Sequence, residues 1–338
     1  MRFPDEASLE DVMSIPTEAL REALASWQGN VVVLGAAGKM GPTLCLRLRR
    51  ALPDHVNLVA VSRFSDPASR AWFHGHGIDT LPVDLMDPNA PEGLPDADRV
   101  VYLVGMKFGT TDNPALTWAV NALLPDRIVR RYAGCKGIVA LSTGNVYPLV
   151  SVESGGSVES DPLTPIGEYA NACVARERIF QYASVDTQTP LALIRLNYAI
   201  DLRYGLLIDI GSKVLRGEPV DCTMGYLNGI WQGDANEAVL RAFSAVSIPA
   251  NPLNLTGTER WSVRDLATRL AQALGVSAQC VGQEAPNALL SNVAKGAAVW
   301  GEHPTSQSDM IAWTAAWLLR GGRTLGKPTK FEVRDGQY

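Results

Sequence analysis

The sequence predicts a doubly wound α/β domain that carries a smaller C-terminal α+β unit. Short apolar segments alternate with amphipathic, helix-length segments up to about residue 200. A glycine-rich turn directly follows the first apolar segment. Beyond residue 200, helical patterns are separated only by short extended pieces. Alternating strands and helices imply crossover connections, which build a parallel sheet with helices on both faces.

The individual elements follow from the apolar pattern in chain order. A polar preface contains one predicted helix, from Pro16 to Trp27, which we expect to pack on the surface of the main domain. Strands are predicted at 31–34, 57–61, 79–83, 100–104, 138–141 and 191–196. Longer helices are predicted at 114–133, 166–184, 207–217, 234–246, 262–274 and 308–320.

These elements divide the chain into three predicted parts. Residues 1–28 form an N-terminal helical extension, residues 29–200 the main domain, and residues 201–338 mainly the smaller domain. A segment at about 228–256 is expected to return to the main domain. The residues after Gly321 are rich in Gly, Lys and Arg and are expected to form a loose arm.

Composition excludes several classes of protein. The 338 residues are 46% hydrophobic and 19% charged, with a formal net charge of −5, which argues against disorder and against bulk binding to nucleic acid or anionic membranes. No segment approaches the roughly 18–20 apolar residues of a membrane span, and the acidic start lacks the pattern of a secretion signal. The five cysteines are scattered without a CxxC pair, so no zinc site or disulfide framework is indicated. We expect a reduced, cytoplasmic protein without a metal.

The strongest local signal is the turn from Gly35 to Gly41. Its three glycines, Gly35, Gly38 and Gly41, have the spacing GxxGxxG and lie between the first strand and the following helix. Glycines there allow a tight turn and close approach of the backbone to a pyrophosphate, which the helix N-terminus then stabilises. The turn, including Lys39 and Met40, is therefore predicted to bind a dinucleotide.

The end of the second strand indicates which dinucleotide is bound. A carboxylate there would bind the ribose hydroxyls of NAD, whereas an arginine accommodates the 2′-phosphate of NADP. This strand ends in Ser62 and Arg63, and Lys39 adds a second cation nearby. The prediction is NADP, with NAD as the alternative if both cations are ordinary surface charges.

In their order along the chain, these and later residues resemble the extended short-chain dehydrogenase/reductase family, the NAD-dependent epimerase/dehydratase group with a Rossmann fold. The resemblance covers most of residues 30–260. Beyond the glycine loop it rests on Asp84-Leu85 after the third strand, Val104-Gly105-Met106-Lys107 after the fourth, Asn121, the segment from Ser142 to Tyr147, Pro162 to Pro165, Tyr169, Glu177, and Arg195-x-Asn197.

The resemblance implies roles for these residues. Asp84 and Leu85 would contact the adenine, and Val104, Gly105 and Asn197 would line the cofactor. Tyr169 would act as the acid/base on a substrate hydroxyl, and Thr143 would hydrogen-bond the same oxygen. The helices at 114–133 and 166–184 resemble those that pair in family homodimers.

The sequence departs from the family at Cys173, where a lysine normally follows the tyrosine by four residues. That lysine favours the phenolate, because an unperturbed tyrosine with a pKa of about 10 is a poor base near neutrality. Three interpretations remain open. The chain has lost catalysis and kept cofactor binding, another cation such as Lys107 takes part of the role, or the substrate is acidic enough for a weaker base.

A second departure concerns the substrate. Leu227 occupies a position where family members that act on nucleotide sugars often carry arginine, which puts a nucleotide diphosphate substrate in doubt. Trp231 and Gln232 could face a smaller carbohydrate or hydroxy acid, or Trp231 could pack at the domain interface. The sequence thus predicts an NAD(P)-dependent oxidoreductase or epimerase/dehydratase of carbohydrate-like or hydroxy-acid substrates. The alternative is a non-catalytic NAD(P)-binding sensor or partner protein.

Overall fold

The computed structural model describes residues 3–107, 109 and 112–337. Its centre is a parallel sheet of seven strands within these residues, in the order β12-β7-β5-β4-β1-β2-β3. The strands are β1 (Asn30–Leu34), β2 (Asn57–Ser62), β3 (Asp79–Pro82), β4 (Arg99–Tyr102), β5 (Gly137–Thr143), β6 (Val150–Ser151), β7 (Leu191–Leu196), β8 (Ala199–Ile200), β9 (Val220–Asp221), β10 (Tyr226–Leu227), β11 (Ile230–Trp231), β12 (Asn251–Leu255), β13 (Trp261–Ser262), β14 (Cys280–Val281) and β15 (Asn287–Ala288).

Helices cover both faces of the sheet and build the second unit. They are α1 (Glu6–Met13), α2 (Glu18–Leu24), α3 (Gly41–Ala51), α4 (Pro67–Gly75), α5 (Ala90–Gly93), α6 (Pro114–Trp118), α7 (Leu124–Arg131), α8 (Glu168–Asp186), α9 (Leu206–Leu215), α10 (Gln232–Arg241), α11 (Val263–Leu274), α12 (Ala294–Trp300) and α13 (Gln307–Leu319). A π-helical turn, Ala119–Leu123, joins α6 to α7, and 3₁₀ turns lie at Gly144–Val146 and Ala242–Ala245.

The sheet core follows from the alternation of side chains along each strand. In β1, Val31 and Val33 face a cluster that includes residues of α3 and α10, while Val32 and Leu34 face a cluster with residues of α7 and α8. A strand whose two faces are both covered is apolar throughout, as β1 is. The predicted doubly wound parallel sheet is therefore confirmed.

The strand order places a topological switch between β1 and β4. Leu34 pairs with Val61 of β2 on one side and with Tyr102 of β4 on the other. The chain leaves β1 toward one edge of the sheet and resumes toward the opposite edge at β4. Crevices at such points, beyond the carboxyl ends of the strands, bind ligands in open α/β sheets.

The second unit has its own core, built from α9, α11 and α13. Its strands are two residues long and pair as β8·β11, β9·β14, β10·β13 and β6·β15. The chain returns to the main sheet at β12, which pairs with β7 along its edge.

The N-terminal segment lies against both units. The helix predicted from Pro16 to Trp27 is shorter, covering Glu18–Leu24, and α1 precedes it. Leu9 and Met13 of α1 belong to the core of the second unit, whereas Leu20 and Leu24 of α2 belong to the core beside the sheet. The predicted helix therefore packs on the main domain as expected, and α1, which was not predicted, packs on the second unit.

The end of the chain is not the loose arm that its composition suggested. Phe331 is buried in the core of the second unit. Thr329 donates from its backbone N–H to Asp209 at 2.6 Å, and Arg323 pairs with Glu6 at 2.6 Å. Gly336 packs on the backbone of Ile166 and Gly167, just before α8. We call residues 323–337 the C-terminal strap.

Among the helices of the described residues, none combines the length and the apolarity required to cross a bilayer.

Candidate active site and dinucleotide site

The glycine turn has the shape that the dinucleotide prediction requires. Gly35 has a φ of +81°, and its N–H donates to the carbonyl of Val61 at 2.8 Å. A Cβ on Gly41 would lie 2.0 Å from the carbonyl oxygen of Ala36, so only glycine lets α3 begin against the end of β1. Within the described residues, no side-chain capping hydrogen bond is made at the start of α3. Its N–H groups therefore remain available to an anion, and the pyrophosphate of a dinucleotide fits this turn.

Lys39 reaches from the glycine turn toward the second unit. Its ammonium lies 3.4 Å from the centre of the Tyr204 ring. Burial, followed by repulsion from Lys327 and Lys107, lowers the pKa of Lys39 to about 7. The next residue, Met40, packs against the core beside the sheet. Positive charges from the turn, the β4 loop and the C-terminal strap thus converge at the crevice.

The ends of β2 and β3 lie along the same edge. Ser62 is half-buried, and its carbonyl accepts from Val83 at 2.9 Å, while Arg63 is exposed. Asp84 is exposed and accepts from the Met86 N–H at 3.0 Å, whereas Leu85 is buried below the sheet edge. The position after β2 therefore presents a cation and no carboxylate, as the sequence indicated.

The segment after β4 is held from both sides. The Asn121 side chain accepts from the Met106 N–H at 3.3 Å and donates to its carbonyl at 3.0 Å. Arg176 donates to the carbonyl of Val104 at 3.1 Å. Gly105 is exposed at the crevice, and a Cβ there would lie 3.0 Å from the Arg176 guanidinium. The hydrogen bonds from Asn121 and Arg176 hold the segment with Val104, Gly105 and Lys107 beside the glycine turn.

The predicted acid/base residues meet at the carboxyl end of β5. Tyr169 lies in the first turn of α8 and shares hydrogen bonds with the side chains of Thr143 and Cys173. The ammonium of Lys107 lies 5.9 Å from the centre of the Tyr169 ring. The structure therefore brings together all three predicted catalytic residues, Tyr169, Thr143 and Lys107.

Burial controls the protonation of this group. It raises the pKa of Tyr169 far above its ordinary value, with the neighbouring Cys173 adding to the rise and Arg176 opposing it. Burial lowers the pKa of Lys107 to about 8. Each shift favours the neutral form, because a charge in a poorly solvated site is costly. The Tyr169 phenolate therefore requires positive charge nearby.

A buried ion pair supports the site from below. Arg195 donates to Glu177 at 2.7 Å, and Ser142, directly before Thr143, also donates to Glu177. Asn197 is buried, donates to Ser291 at 3.3 Å and packs against Gly144. It is buried just after β7, and its contact with the cofactor stays a prediction. Its amide thus fixes the turn after Thr143.

Two groups at the site were missed by the sequence reasoning. Arg176 lies on the same face of α8 as Tyr169, and its seven-residue spacing could have revealed it. The C-terminal strap brings Val333 against the cluster that contains Tyr169 and Cys173. Cavities of about 550 and 340 Å³ flank the strap, the first beside the start of α8 and the second beside α9.

The residues considered for substrate contact lie elsewhere. Trp231 is buried against Phe3 and Trp313, with its ring centre 6.2 and 5.2 Å from theirs. Gln232 is buried and donates to Asp201 at 3.2 Å. Leu227 is buried in the core of the second unit. Trp231 therefore packs in the core of the second unit and does not face the crevice.

In the described part of the chain, no group of three or more His, Cys, Asp or Glu side chains is arranged to hold a metal ion.

Fold and site together define a dinucleotide-dependent enzyme of the extended short-chain dehydrogenase/reductase type. The model of the NAD-dependent epimerase/dehydratase family matches residues 31–199, half of the chain. The chain therefore belongs to the NAD-dependent epimerase/dehydratase family, as the sequence motifs indicated.

Solved structures share the fold at low sequence identity. The UDP-glucuronic acid 4-epimerase of Bacillus cereus, solved with NAD, is 18% identical with a TM-score of 0.71 over 86% of this chain and 99% of its own. The UDP-glucose 4-epimerase of Thermotoga maritima, solved with UDP-glucose, is 16% identical with a TM-score of 0.72 over the same shares. A UDP-galactose 4-epimerase is 21% identical with a TM-score of 0.70, again over 86% and 99%. No curated protein sequence matches the chain significantly.

Proposed function

We propose that the protein is an NAD(P)-dependent oxidoreductase or epimerase/dehydratase that acts at a secondary alcohol of a carbohydrate-like or hydroxy-acid substrate by hydride transfer. The observation that carries this proposal is the meeting of Tyr169 and Thr143 beside the glycine turn, at the carboxyl edge of the sheet. A phenol and a hydroxyl that share a hydrogen bond can both bond to one substrate oxygen.

Each residue has a definite chemical task in this proposal. When bound, the coenzyme supplies a hydride acceptor or donor. Tyr169 takes the proton from the substrate hydroxyl and returns it in the reverse direction. Thr143 donates to the same oxygen and orients it. Lys107, near the face of the Tyr169 ring, contributes positive charge that favours the phenolate.

We propose NADP as the preferred coenzyme and NAD as the alternative. The exposed Arg63 after β2, without a carboxylate beside it, supports NADP. The family name and the NAD-bound relatives support NAD. Calorimetry with NAD⁺ and NADP⁺ on the unaltered protein and on Arg63→Ala decides between them. A loss of affinity in Arg63→Ala confined to NADP⁺ would establish the role of Arg63.

For the substrate, we propose a carbohydrate-like alcohol or hydroxy acid without a nucleotide diphosphate. The buried Leu227 offers no charge to a diphosphate. The relatives named above act on UDP-sugars, so UDP-glucose and UDP-glucuronic acid belong in the same substrate panel as free sugars and hydroxy acids.

The decisive experiment compares Tyr169→Phe with Tyr182→Phe, which alters an exposed residue of the same helix. Coenzyme absorbance and product formation are followed over the panel. Tyr169→Phe should lower kcat roughly 10²–10⁴-fold, the usual contribution of an acid/base group. The affinity of Tyr169→Phe for the coenzyme should remain unchanged. In Tyr182→Phe, kcat should equal that of the unaltered protein. Equal turnover in the two variants would remove Tyr169 from the mechanism.

The second candidate function is a non-catalytic NAD(P)-binding protein. The observation that favours it is Cys173 in place of the family lysine, beside a Tyr169 whose pKa burial raises. Coenzyme binding without turnover on any panel member would favour this alternative. Activity that appears only in Cys173→Lys would show that the unaltered chain is degenerate.

We also propose a homodimer that forms through α6, the π-helical turn and α8. The support is a set of large apolar side chains exposed on these adjacent helices, namely Leu116, Trp118, Leu123, Tyr182 and Val185. Contiguous exposed apolar patches mark interaction surfaces.

We propose a cytoplasmic location. The five cysteines of the described chain form no disulfide, which suits this location.

A further inference from the structure

The cavity of about 340 Å³ beside α9 is lined mainly by positive charge. One wall is formed by α9 and the residues just before it, and the other by the C-terminal strap. Only two carboxylates line it, although the whole chain has a formal net charge of −5. Its volume lies at the small end of the range for ligand cavities, about 300–1,000 Å³, so it suits a sugar-sized molecule. The cationic residues of the lining are Arg203, Lys213, Arg216, Lys327 and Lys330.

Both carboxylates of this cavity are already engaged in holding the strap. Asp209 accepts from the backbone N–H of Thr329 at 2.6 Å and also accepts from the Thr329 hydroxyl. Glu332 pairs with Lys213 of α9. These two acids therefore fix the strap against α9, and neither is left to balance the remaining positive charge.

The two lysines of the strap have no fixed counter-charge. The described part of the chain provides neither Lys327 nor Lys330 with an ion-pair partner. Lys330 is half-buried and has a φ of +54°, a conformation that bulky side chains rarely adopt. Glycine would adopt it without steric cost, so stability does not account for a lysine here. Backbone strain of this kind is typical of ligand sites.

The strap also joins this cavity to the proposed acid/base residue. The N–H of Val333 donates to the carbonyl of Lys330 at 3.2 Å, in a turn that keeps their Cα atoms within about 7 Å of each other. Val333 packs against the cluster that contains Tyr169. The ring of Tyr204 lines the cavity and lies 3.4 Å from the ammonium of Lys39, in the glycine turn. The cavity therefore adjoins both the glycine turn and the Tyr169 cluster.

The electrostatics of the crevice agree with this geometry. Burial is the main cause of the low pKa of Lys39, and repulsion from Lys327 adds to it. Burial likewise lowers the pKa of Lys107, and repulsion from Lys330 adds to it. Like charges that gather at one place destabilise each other, and an anion bound among them would relieve the repulsion.

We propose that this cavity binds an acidic group of the substrate, a carboxylate or a phosphate monoester, and that Lys327 and Lys330 recognise that group. The inference rests on the proposed function, because it takes the reacting alcohol to lie at Tyr169. The substrate is then a polyhydroxy acid or a sugar phosphate and not a neutral sugar. Lysines act as flexible point charges, which suit either anion.

The test observes the lysines directly by NMR of protein labelled with ¹³C at the lysine ε carbon. The chain contains only seven lysines, and the signals of Lys327 and Lys330 are identified by their absence in Lys327→Met and Lys330→Met. Saturating NAD⁺ is present so that the proposed coenzyme site is filled. The probes are inorganic phosphate and acetate, with glucose as the neutral comparison, all at one fixed pH.

At least one of the two anions should shift the Lys327 and Lys330 signals in a saturable manner, and glucose should shift neither. Lys327→Met and Lys330→Met should each weaken the binding of that anion about fivefold, the effect of one partly exposed ion pair. Lys136→Met, which removes an exposed lysine paired with Asp98, should bind it as the unaltered protein does.

Three results would overturn the proposal. The first is the absence of a saturable shift with both anions. The second is an equal dissociation constant in the unaltered protein, Lys327→Met and Lys330→Met. The third is a shift that occurs only without NAD⁺, since the cavity would then belong to the coenzyme.

Larger probes distinguish a carboxylate from a phosphate. D-Gluconate and glucose 6-phosphate are titrated into Tyr169→Phe with NAD⁺, and one of them should bind more tightly than acetate or phosphate alone. If neither does, the anion is not part of a sugar-like substrate and the proposal fails. Turnover of a panel substrate without any anion effect on the two lysines would refute this inference and leave the proposed function intact. Anion binding that depends on Lys330, without turnover of any panel member, would do the reverse.

Discussion

A buried phenol becomes a useful base only where the surroundings supply positive charge. Tyr169 is such a phenol, and two cationic side chains lie near it, Lys107 and Arg176. Only Lys107 was anticipated in a catalytic role, because it follows a strand at a family position. Arg176 escaped attention because its own neighbours in sequence are ordinary helix residues. The place of Arg176 at the site became visible only in the structure, where its side chain contacts Cys173 across one turn of α8.

At Gly41 the backbone itself sets the identity of the residue. Gly41→Ala would place a methyl group 2.0 Å from the Ala36 carbonyl oxygen, so α3 must move away from β1. We expect a loss of about 1–3 kcal/mol in the free energy of unfolding, measured in urea, together with a loss of affinity for NAD⁺ and NADP⁺. Gly75→Ala, where a Cβ meets no atom within 4 Å, is the matched control and should leave both quantities nearly unchanged.

Lys39 makes coenzyme binding sensitive to pH if it faces the pyrophosphate as predicted. Its pKa is lowered to about 7, so below pH 7 the free protein carries the charge and above pH 7 it loses it. A bound anion favours the charged form, and affinity should therefore decrease as pH rises from 6 to 9. Lys39→Met should weaken NAD⁺ binding at pH 6 by about tenfold, equivalent to about 1.4 kcal/mol.

Calorimetry at several pH values checks this dependence. The Lys39→Met variant should show a shallower decrease with pH than the unaltered protein, the remainder being due to Lys107. Lys136→Met, which alters an exposed lysine paired with Asp98, serves as control. The same slope in Lys39→Met and in the unaltered protein would show that Lys39 does not sense the bound anion.

At the scale of elements, most of the sheet could be predicted from sequence. Five of its first six strands carry apolar runs, β3 being the exception, and the observed bounds of all six lie within two residues of the predicted ones. The two-residue strands of the second unit could not be predicted, because so short a segment shows no periodicity. The helix α1 was missed for a related reason, since only Leu9 and Met13 of its eight residues are buried.

The apolar face of α8 yields a prediction about assembly. Tyr182 and Val185 are 64% and 48% exposed, and replacing both with Glu would put like charges opposite each other in a symmetric pair. The unaltered chain should have twice the mass of 36.4 kDa by light scattering, and the double variant should have the mass of a monomer. Leu215→Glu, a change of a 40% exposed residue on α9, should remain dimeric. A monomeric unaltered protein would contradict the proposed dimer.

At the scale of the whole molecule, both ends of the chain tie the two units together. Arg47 of α3 pairs with Glu237 of α10 at 2.5 Å and donates to the carbonyl of Met13. Arg203 pairs with Glu10 of α1 at 2.7 Å. Composition gave no indication of this arrangement, because polar terminal segments look alike whether they are docked or free.

Phe331 is the anchor of the C-terminal strap and carries the last prediction. Phe331→Ala removes a buried aromatic side chain and should lower the free energy of unfolding by about 3–5 kcal/mol. Trypsin should then cleave at Lys327 and Lys330 while the rest of the protein is still folded. Val276→Ala, at a 41% exposed position, should change stability by less than about 0.5 kcal/mol and leave cleavage slow. Unchanged cleavage of Phe331→Ala would show that the strap is held by other contacts.

The docking of Gly336 against Gly167, two residues before Tyr169, has a practical consequence for anyone who produces the protein. A purification handle fused to the carboxyl terminus would follow the strap beside the start of α8, where it would crowd the residues that we propose for catalysis. A handle at the amino terminus begins near Phe3, which is wedged between two tryptophans. Assays that search for a substrate are therefore best performed after proteolytic removal of any such handle. A lack of activity is then a property of the protein and not of the handle.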